Sequence, residues 1–306
     1  MNDETGAIAL PTPAAFCQEN PEAAPLVELL TVVPRIAVAL SGGVDSALLL
    51  AVAHLAQGAD PPIDSDPPVV AVTGVSASLS EDEWQQAQAV ASFVGVPLWT
   101  LHTRELDRPE YVANRGDRCY FCKSELYGDA LADPRLTGRA LFDGTHADDP
   151  SSDRPGMRAA TEAGVRSPLR EVGLGKESIR RLARSLGLPN WNRPARPCLA
   201  SRIGVGTEVS AARLAAVAAL ETVLREERFH VYRARIDGGR VVIQVGEEEI
   251  SRVAERSWRR RVLSVAKEHG YPTVTFDRGG YRSPGAERVS FEPPESQYLP
   301  LHEMAD

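Results

Sequence analysis

Three cysteines and one glycine-centred turn carry the residue types best suited to chemistry in this chain of 306 residues. Cys119-Tyr-Phe-Cys122 opens a predicted helix running to Leu131, and Cys198 lies far downstream in Arg196-Pro-Cys-Leu-Ala-Ser-Arg202. A Cys-x-x-Cys pair at a helix start suits a redox disulfide, because the positive end of the helix lowers a thiol pKa. Three thiolates joined by His146 suit a structural zinc. Three thiolates equally suit an iron–sulfur cluster in which one iron lacks a protein ligand and can take up a hydrosulfide. Spacing alone leaves all three readings open.

The turn is Ser41-Gly-Gly-Val-Asp-Ser46, set between an apolar strand, Ile36 to Leu40, and an apolar helix, Asp45 to Ala56. Gly42 and Gly43 have no Cβ, so backbone N–H groups can close around phosphate oxygens while the helix N-terminus faces the negative charge. Ser41 and Ser46 add hydroxyl donors. Asp45 repels phosphate, so its expected role is to hold Mg²⁺ or a water of that ion. A plain turn with Asp45 as a helix cap is the alternative. No lysine follows the glycines, which excludes the GxxxxGK[ST] loop of ordinary ATPases and GTPases. The string resembles instead the PP-loop, or N-type ATP pyrophosphatase, superfamily, whose members cleave ATP to AMP and pyrophosphate while adenylating an acceptor.

These groups need a scaffold. Val69 to Val75 is a continuous apolar run suited to a parallel strand buried on both faces. Ser80 with Glu83 forms a capping-box signal for a helix carrying Trp84, Ala87, Val90, Ala91 and Val94 on one face. Leu98 to Leu101 and Ala140 to Phe142 supply further strands. Alternating strands and helices predict an α/β fold with a doubly wound parallel sheet, its ligand at the carboxyl ends of the strands. Ser41 to Ser46, Val75 to Ser80 and Asp143-Gly144-Thr145-His-Ala-Asp-Asp149 all fall there.

Residues 1–34 read as a Pro-containing tail with a short helix over Leu26 to Leu30. Residues 35–205 make the nucleotide domain, with a Pro/Asp-rich surface loop from Gly58 to Pro68. Within it Ser151 to Pro197 reads as irregular, apart from a helix over Lys176 to Leu186. Residues 206–283 read as a smaller α+β domain. Its elements are helix Ser210 to Glu227, strands Phe229 to Ile236 and Val241 to Val245 joined by the hairpin Asp237-Gly-Gly239, a long helix from Glu247, and strand Thr273 to Phe276. Residues 284–306 read as an extended tail.

The formal charge of −8 argues against a generic nucleic-acid surface. No apolar run approaches the ~20 residues needed to span a bilayer. No signal peptide is evident, so the cytoplasm is the expected location. Four cysteines in a chain this long do not make a secreted disulfide framework, which directs attention to metal or catalytic chemistry. Arginine dominates the basic residues, with lysine only at Lys123, Lys176 and Lys267.

Six stretches following the loop in order carry a more specific signal: Arg115 to Tyr127, Asp143 to Asp149, Arg154-Pro-Gly-Met-Arg158, Gly164-Val-Arg-Ser-Pro-Leu169, Pro189-Asn-Trp191 and Pro197-Cys-Leu-Ala-Ser-Arg-Ile203. Together they resemble the LarE family of ATP-dependent sulfurtransferases across residues 30 to 283. The resemblance implies a step in making the nickel-pincer nucleotide. ATP adenylates a carboxylate of pyridinium-3,5-biscarboxylic acid mononucleotide, sulfur replaces AMP, and the second carboxylate follows. Some relatives sacrifice the sulfur of the downstream cysteine. Those with all three hold a [4Fe-4S] cluster that carries the sulfide, and with Cys119, Cys122 and Cys198 this chain resembles that type.

The resemblance further implies ATP and Mg²⁺ held by Ser41, Gly42, Gly43, Asp45, Ser46, Gly144 and Thr145. It implies a homo-oligomer, and a nickel-insertion protein as the downstream partner. Arg233 and Arg235 are two apart on a strand and share one face, as suits a dianionic nucleotide phosphate. Arg202 could orient a substrate carboxylate or form an ion pair. Two other functions remain in view. A tRNA thiolase shares the loop, but net acidity opposes it; an ATP-binding module with structural zinc would bind ATP without turnover.

Overall fold

The computed structural model describes residues 10–58, 66–150, 154–194, 196–281 and 298–301. The chain forms two units, Met1–Glu105 with Asp117–Arg196, and Leu106–Gly116 with Pro197–Asp306. The first unit begins with α1 (Pro13–Glu19), α2 (Ala24–Thr31), β1 (Ile36–Ala39), α3 (Val44–Gln57), β2 (Val69–Val75), α4 (Glu81–Val94) and β3 (Leu98–His102). A segment with α5 (Pro109–Ala113) belongs to the second unit. The first then resumes with α6 (Arg118–Ala132), β4 (Ala140–Phe142), α7 (Pro155–Glu162), α8 (Pro168–Glu171) and α9 (Lys176–Ser185).

The first sheet is parallel in the order β3-β2-β1-β4, with Ile36 opposite both Val69 and Ala140. Successive side chains of a strand point to opposite faces. Ile36, Val38, Val69 and Ala71 accordingly join one core with residues of α2, α3, α4 and α9, while Ala37, Val70, Val72 and Leu141 join another with Tyr127, Ala130 and Ala160. Burial on both faces is what the unbroken apolar runs required, and it is the doubly wound α/β arrangement expected from the sequence. The strand order turns around at β1, so the loops leaving β1 and β4 open side by side at a switch point.

The second unit contains α10 (Ala211–Glu226), β5 (Tyr232–Asp237), β6 (Arg240–Val245), α11 (Arg256–Glu268), β7 (Thr273–Asp277) and β8 (Tyr298–Pro300), with the strands ordered β5-β6-β7-β8. Among the described residues no helix is long and apolar enough to cross a membrane.

Several local expectations give way to the structure. The N-terminal stretch holds a second helix, α1, where Thr12 accepts a hydrogen bond from the Ala15 amide and Phe16 is buried. Residues 151–197 include α7 and α8 besides α9, starting at Pro155 and Pro168. Proline reads as a loop signal, yet it suits the first helical position because its missing N–H has no partner to lose there.

The helix expected from Glu247 is instead a 3-10 segment, Glu247–Ala254, an extended Glu255, and then α11. Glu249 bends this segment back by accepting from the His230 and Val231 amides. β5 starts at Tyr232 rather than Phe229, because Phe229 closes the end of α10 through its amide to Leu224 and packs edge-on against Trp258. The unit division falls at Pro197 rather than near 205, since Gly204 donates to Ile236 of β5 and so ties the Cys198 stretch to the second unit. The Gly58 to Pro68 loop and the tail after Ser283 lie largely outside the described residues, although Tyr298–Pro300 pairs antiparallel with β7.

Candidate functional site

In the first unit the turn after β1 is held open by its own hydroxyls. Ser46 Oγ accepts from the Ser41 amide at 3.2 Å and donates to the Gly43 carbonyl at 3.2 Å, and it lies 3.2 Å from Ser41 Oγ. Gly42 takes the left-handed conformation, φ 77°, and a Cβ there would stand 3.0 Å from the Glu83 carbonyl. Only glycine adopts this backbone without strain. The buried side chain of Asn190 donates to the Gly42 carbonyl at 2.9 Å, fixing the turn from the side of α9.

The loop after β4 closes over this turn. A Cβ on Gly144 would meet the Ser46 amide nitrogen at 2.7 Å and its Cα at 3.0 Å. Immediately before it, buried Asp143 gathers Ser167 Oγ at 2.7 Å, Thr145 Oγ1 at 3.0 Å, the Thr145 amide and Tyr127 OH at 3.1 Å, and Lys123 Nζ at 3.3 Å. Burial pushes its carboxyl pKa upward, but the Lys123 charge and these hydrogen bonds outweigh burial and leave it below the ordinary value. Tyr127 is shifted the other way, upward, by burial and then by the Asp143 charge.

Asp45, in the first turn of α3, is met by Lys176 Nζ at 2.6 and 2.7 Å from its two oxygens. The Lys176 amide donates to Asp148 Oδ2 at 2.6 Å, so the β4 loop also anchors the start of α9. Cys119 and Cys122 lie near the start of α6, about one helical turn apart, and Lys123 follows Cys122. The His146 amide donates to Asp149 Oδ2 at 3.0 Å, and its Nε2 lies 3.7 Å from the same oxygen.

The second unit organises Cys198 around Glu221. Cys198 caps the 3-10 turn Leu199–Arg202, whose last residue is 3% exposed, which commits Arg202 to internal contacts. Arg202 donates from Nε and Nη2 to the two Glu221 oxygens at 2.8 and 2.9 Å, and from Nη1 to the carbonyls of Pro197 and of Cys198, the latter at 3.0 Å. The ion-pair alternative for Arg202 is therefore the one the structure contains. Glu221 also accepts from the Ala234 amide at 3.2 Å, between Arg233 and Arg235 on β5. Arg233 is buried, stacks 4.6 Å from the Tyr281 ring centre and donates to the Tyr232 carbonyl at 2.7 Å; Arg235 is half-buried.

Comparison with known proteins identifies relatives along most of the chain. It is 32% identical to the pyridinium-3,5-bisthiocarboxylic acid mononucleotide synthase of Lactiplantibacillus plantarum over 261 residues, covering 85% of this chain and 91% of that protein. The chain belongs to the LarE family. An uncharacterized Synechocystis protein is 37% identical over 83% of this chain and 92% of its own length. A Methanocaldococcus jannaschii protein, also uncharacterized, is 26% identical over 81% of this chain. No protein-family model matches the chain.

For a LarE chain, the groups present suit a metal–nucleotide complex in the first unit. The turn offers amide and hydroxyl donors with space only glycine leaves, and Asp45 beside it carries the hard oxygen atoms that suit Mg²⁺. The thiol set suits iron in its softness. Cys119 and Cys122 belong to the first unit and Cys198 to the second, and within either unit no three described His, Cys, Asp or Glu side chains gather as a metal site. None of the four cysteines is in a disulfide. Cys17 packs against the core of the first unit, and burial, then the Glu28 charge, raises its pKa.

Sequence reasoning missed Lys176, Asp143, Lys123 and Glu221. Asp143 and Lys123 sat inside recognised motifs without a role. Lys176 carried a signal that went unused, a lysine in a chain that otherwise uses arginine. Glu221 follows the buried Leu220 in α10 and gave no distinct signal.

Proposed function

We propose that this chain uses ATP to activate the carboxylates of pyridinium-3,5-biscarboxylic acid mononucleotide and converts both to thiocarboxylates, in the cytoplasmic assembly of the nickel-pincer nucleotide. The observation that carries the reading is the name of the L. plantarum relative, a synthase whose product is the bisthiocarboxylic acid mononucleotide. Making that product from the dicarboxylic acid exchanges oxygen for sulfur, and a carboxylate oxygen leaves only after activation. The glycine turn at the switch point suits this need, because its amides and the Ser41 and Ser46 hydroxyls would stabilise departing pyrophosphate.

Asp45 would hold Mg²⁺, and Gly144 with Thr145 would present backbone to the nucleotide from the opposite side. Arg233 and Arg235 would hold the phosphate of the substrate, with Tyr281 fixing the Arg233 plane. Arg202 and Glu221 would act as positioning residues, holding the carbonyls of Pro197 and Cys198 beside the thiol. A [4Fe-4S] cluster on Cys119, Cys122 and Cys198 would supply transferable sulfide. Protein purified without oxygen should then be brown and hold about four irons per chain. Mass spectrometry after turnover should find the chain unchanged. Absence of iron, or loss of one sulfur from Cys198, would replace the cluster by the sacrificial cysteine.

A further inference from the structure

The nucleotide loop carries a contact that its proposed chemistry leaves unexplained. Asp45, the carboxylate best placed for a metal, already has a cation on both oxygens, with Lys176 Nζ at 2.6 and 2.7 Å. The pair is accessible, its side chains being 32% and 24% exposed, so water weakens it and either partner can leave.

We infer that Lys176 is the resident counter-ion of Asp45. It occupies Asp45 until a metal–triphosphate arrives, then yields the carboxylate to the metal and moves its ammonium to the phosphate oxygens. The inference rests on the nucleotide reading above. Divalent cation alone has to displace the ammonium without offering it anything in return, so it binds poorly. Metal with triphosphate brings the oxygens that receive the displaced charge. The site is in this way kept from loading metal without nucleotide.

Two further features fit the exchange. Lysine is scarce here, yet Lys176 and Lys123 each meet a carboxylate just beyond the end of a central strand, Asp45 after β1 and Asp143 after β4. An ammonium on a flexible stem with three rotatable donors can change partners, whereas a guanidinium would grip Asp45 in a planar two-point pair. The backbone beneath it is fixed. The Lys176 amide is held by Asp148, and Gly175 leaves room for that carboxylate, since a Cβ there would lie 2.7 Å from Asp148 Oδ2. A swing of the side chain therefore leaves α9 in place.

The test compares Lys176→Gln and Lys176→Arg with the unaltered chain, using Mn²⁺ titration by electron paramagnetic resonance and calorimetry of an ATP analogue with a methylene α,β bridge. Without nucleotide, Lys176→Gln should bind Mn²⁺ on the order of tenfold tighter than the unaltered chain, and Lys176→Arg no tighter. With Mg²⁺ present, Lys176→Gln should bind the analogue on the order of tenfold more weakly. Opposite signs for the two ligands are the signature, because a purely structural lysine would move both the same way or neither. Analogue binding is measured first on the unaltered chain, and its absence overturns the nucleotide reading together with the exchange. Its presence with equal Mn²⁺ affinities in all three proteins overturns the exchange alone.

Discussion

Gly144→Ala tests the packing of the two loops with a single methyl group. No positive φ is involved at this position, so the effect is steric. The new Cβ would stand 2.7 Å from the Ser46 nitrogen, and reaching ordinary contact at 3.4 Å requires about 0.7 Å of retreat by backbone on one side or the other. Overpacking of this kind costs about 1–3 kcal/mol. For a unit of this size each kcal/mol lowers the melting temperature by roughly 2–4 °C.

The same displacement moves the amides proposed to hold pyrophosphate, and an error approaching ~1 Å in such a site costs up to ~10²-fold in rate. Gly128→Ala is the control. It adds the same methyl inside α6 where nothing lies within 4 Å, and it should stabilise by about 0.5–1 kcal/mol. Urea unfolding and calorimetry with the ATP analogue read both effects. If the two variants unfold alike, or Gly144→Ala binds nucleotide as the parent does, the loops are not packed as described or do not hold nucleotide.

Asp143 and the arginine pair give two further expectations. Because the folded Asp143 carboxyl lies below the ordinary value, its contribution to stability is present above the unfolded pKa of about 3.9 and is lost as pH falls through the lower folded value. Asp143→Asn should cost on the order of 3 kcal/mol at neutral pH and flatten the acid limb of the stability profile; an unchanged acid limb in urea titrations counts against this role for Asp143. Arg233→Ala with Arg235→Ala should raise the substrate KM more than the ATP KM in steady-state assays. Equal rises in both would remove the pair from substrate recognition.

The features legible in the sequence were those set by short-range rules. Ser80 and Glu83 form the capping box their spacing required, with the Glu83 amide donating to Ser80 Oγ and Ser80 to the Glu83 carboxylate. The run Val69 to Val75, apolar apart from Thr73, is a central parallel strand because both its faces are covered. The features that were not legible depend on partners distant in sequence. Lys176 meets Asp45 across 131 positions, and Asn190 reaches Gly42 across 148, so local pattern carries no trace of either contact. Arg202 shows the same limit: its position after Cys198 was visible, but the Glu221 that claims it comes from α10.

In the proposed reaction, ATP activation and sulfur insertion are coupled on one substrate. The direct measurement incubates the anaerobically purified chain with ATP, Mg²⁺, sulfide and pyridinium-3,5-biscarboxylic acid mononucleotide, then follows the pyridinium species by mass spectrometry alongside AMP and pyrophosphate. The expected result is a sulfur-for-oxygen exchange at each carboxylate, with AMP and pyrophosphate formed in equal amounts to the sulfur inserted. Thiocarboxylate formed without AMP, or ADP and phosphate in its place, would contradict it.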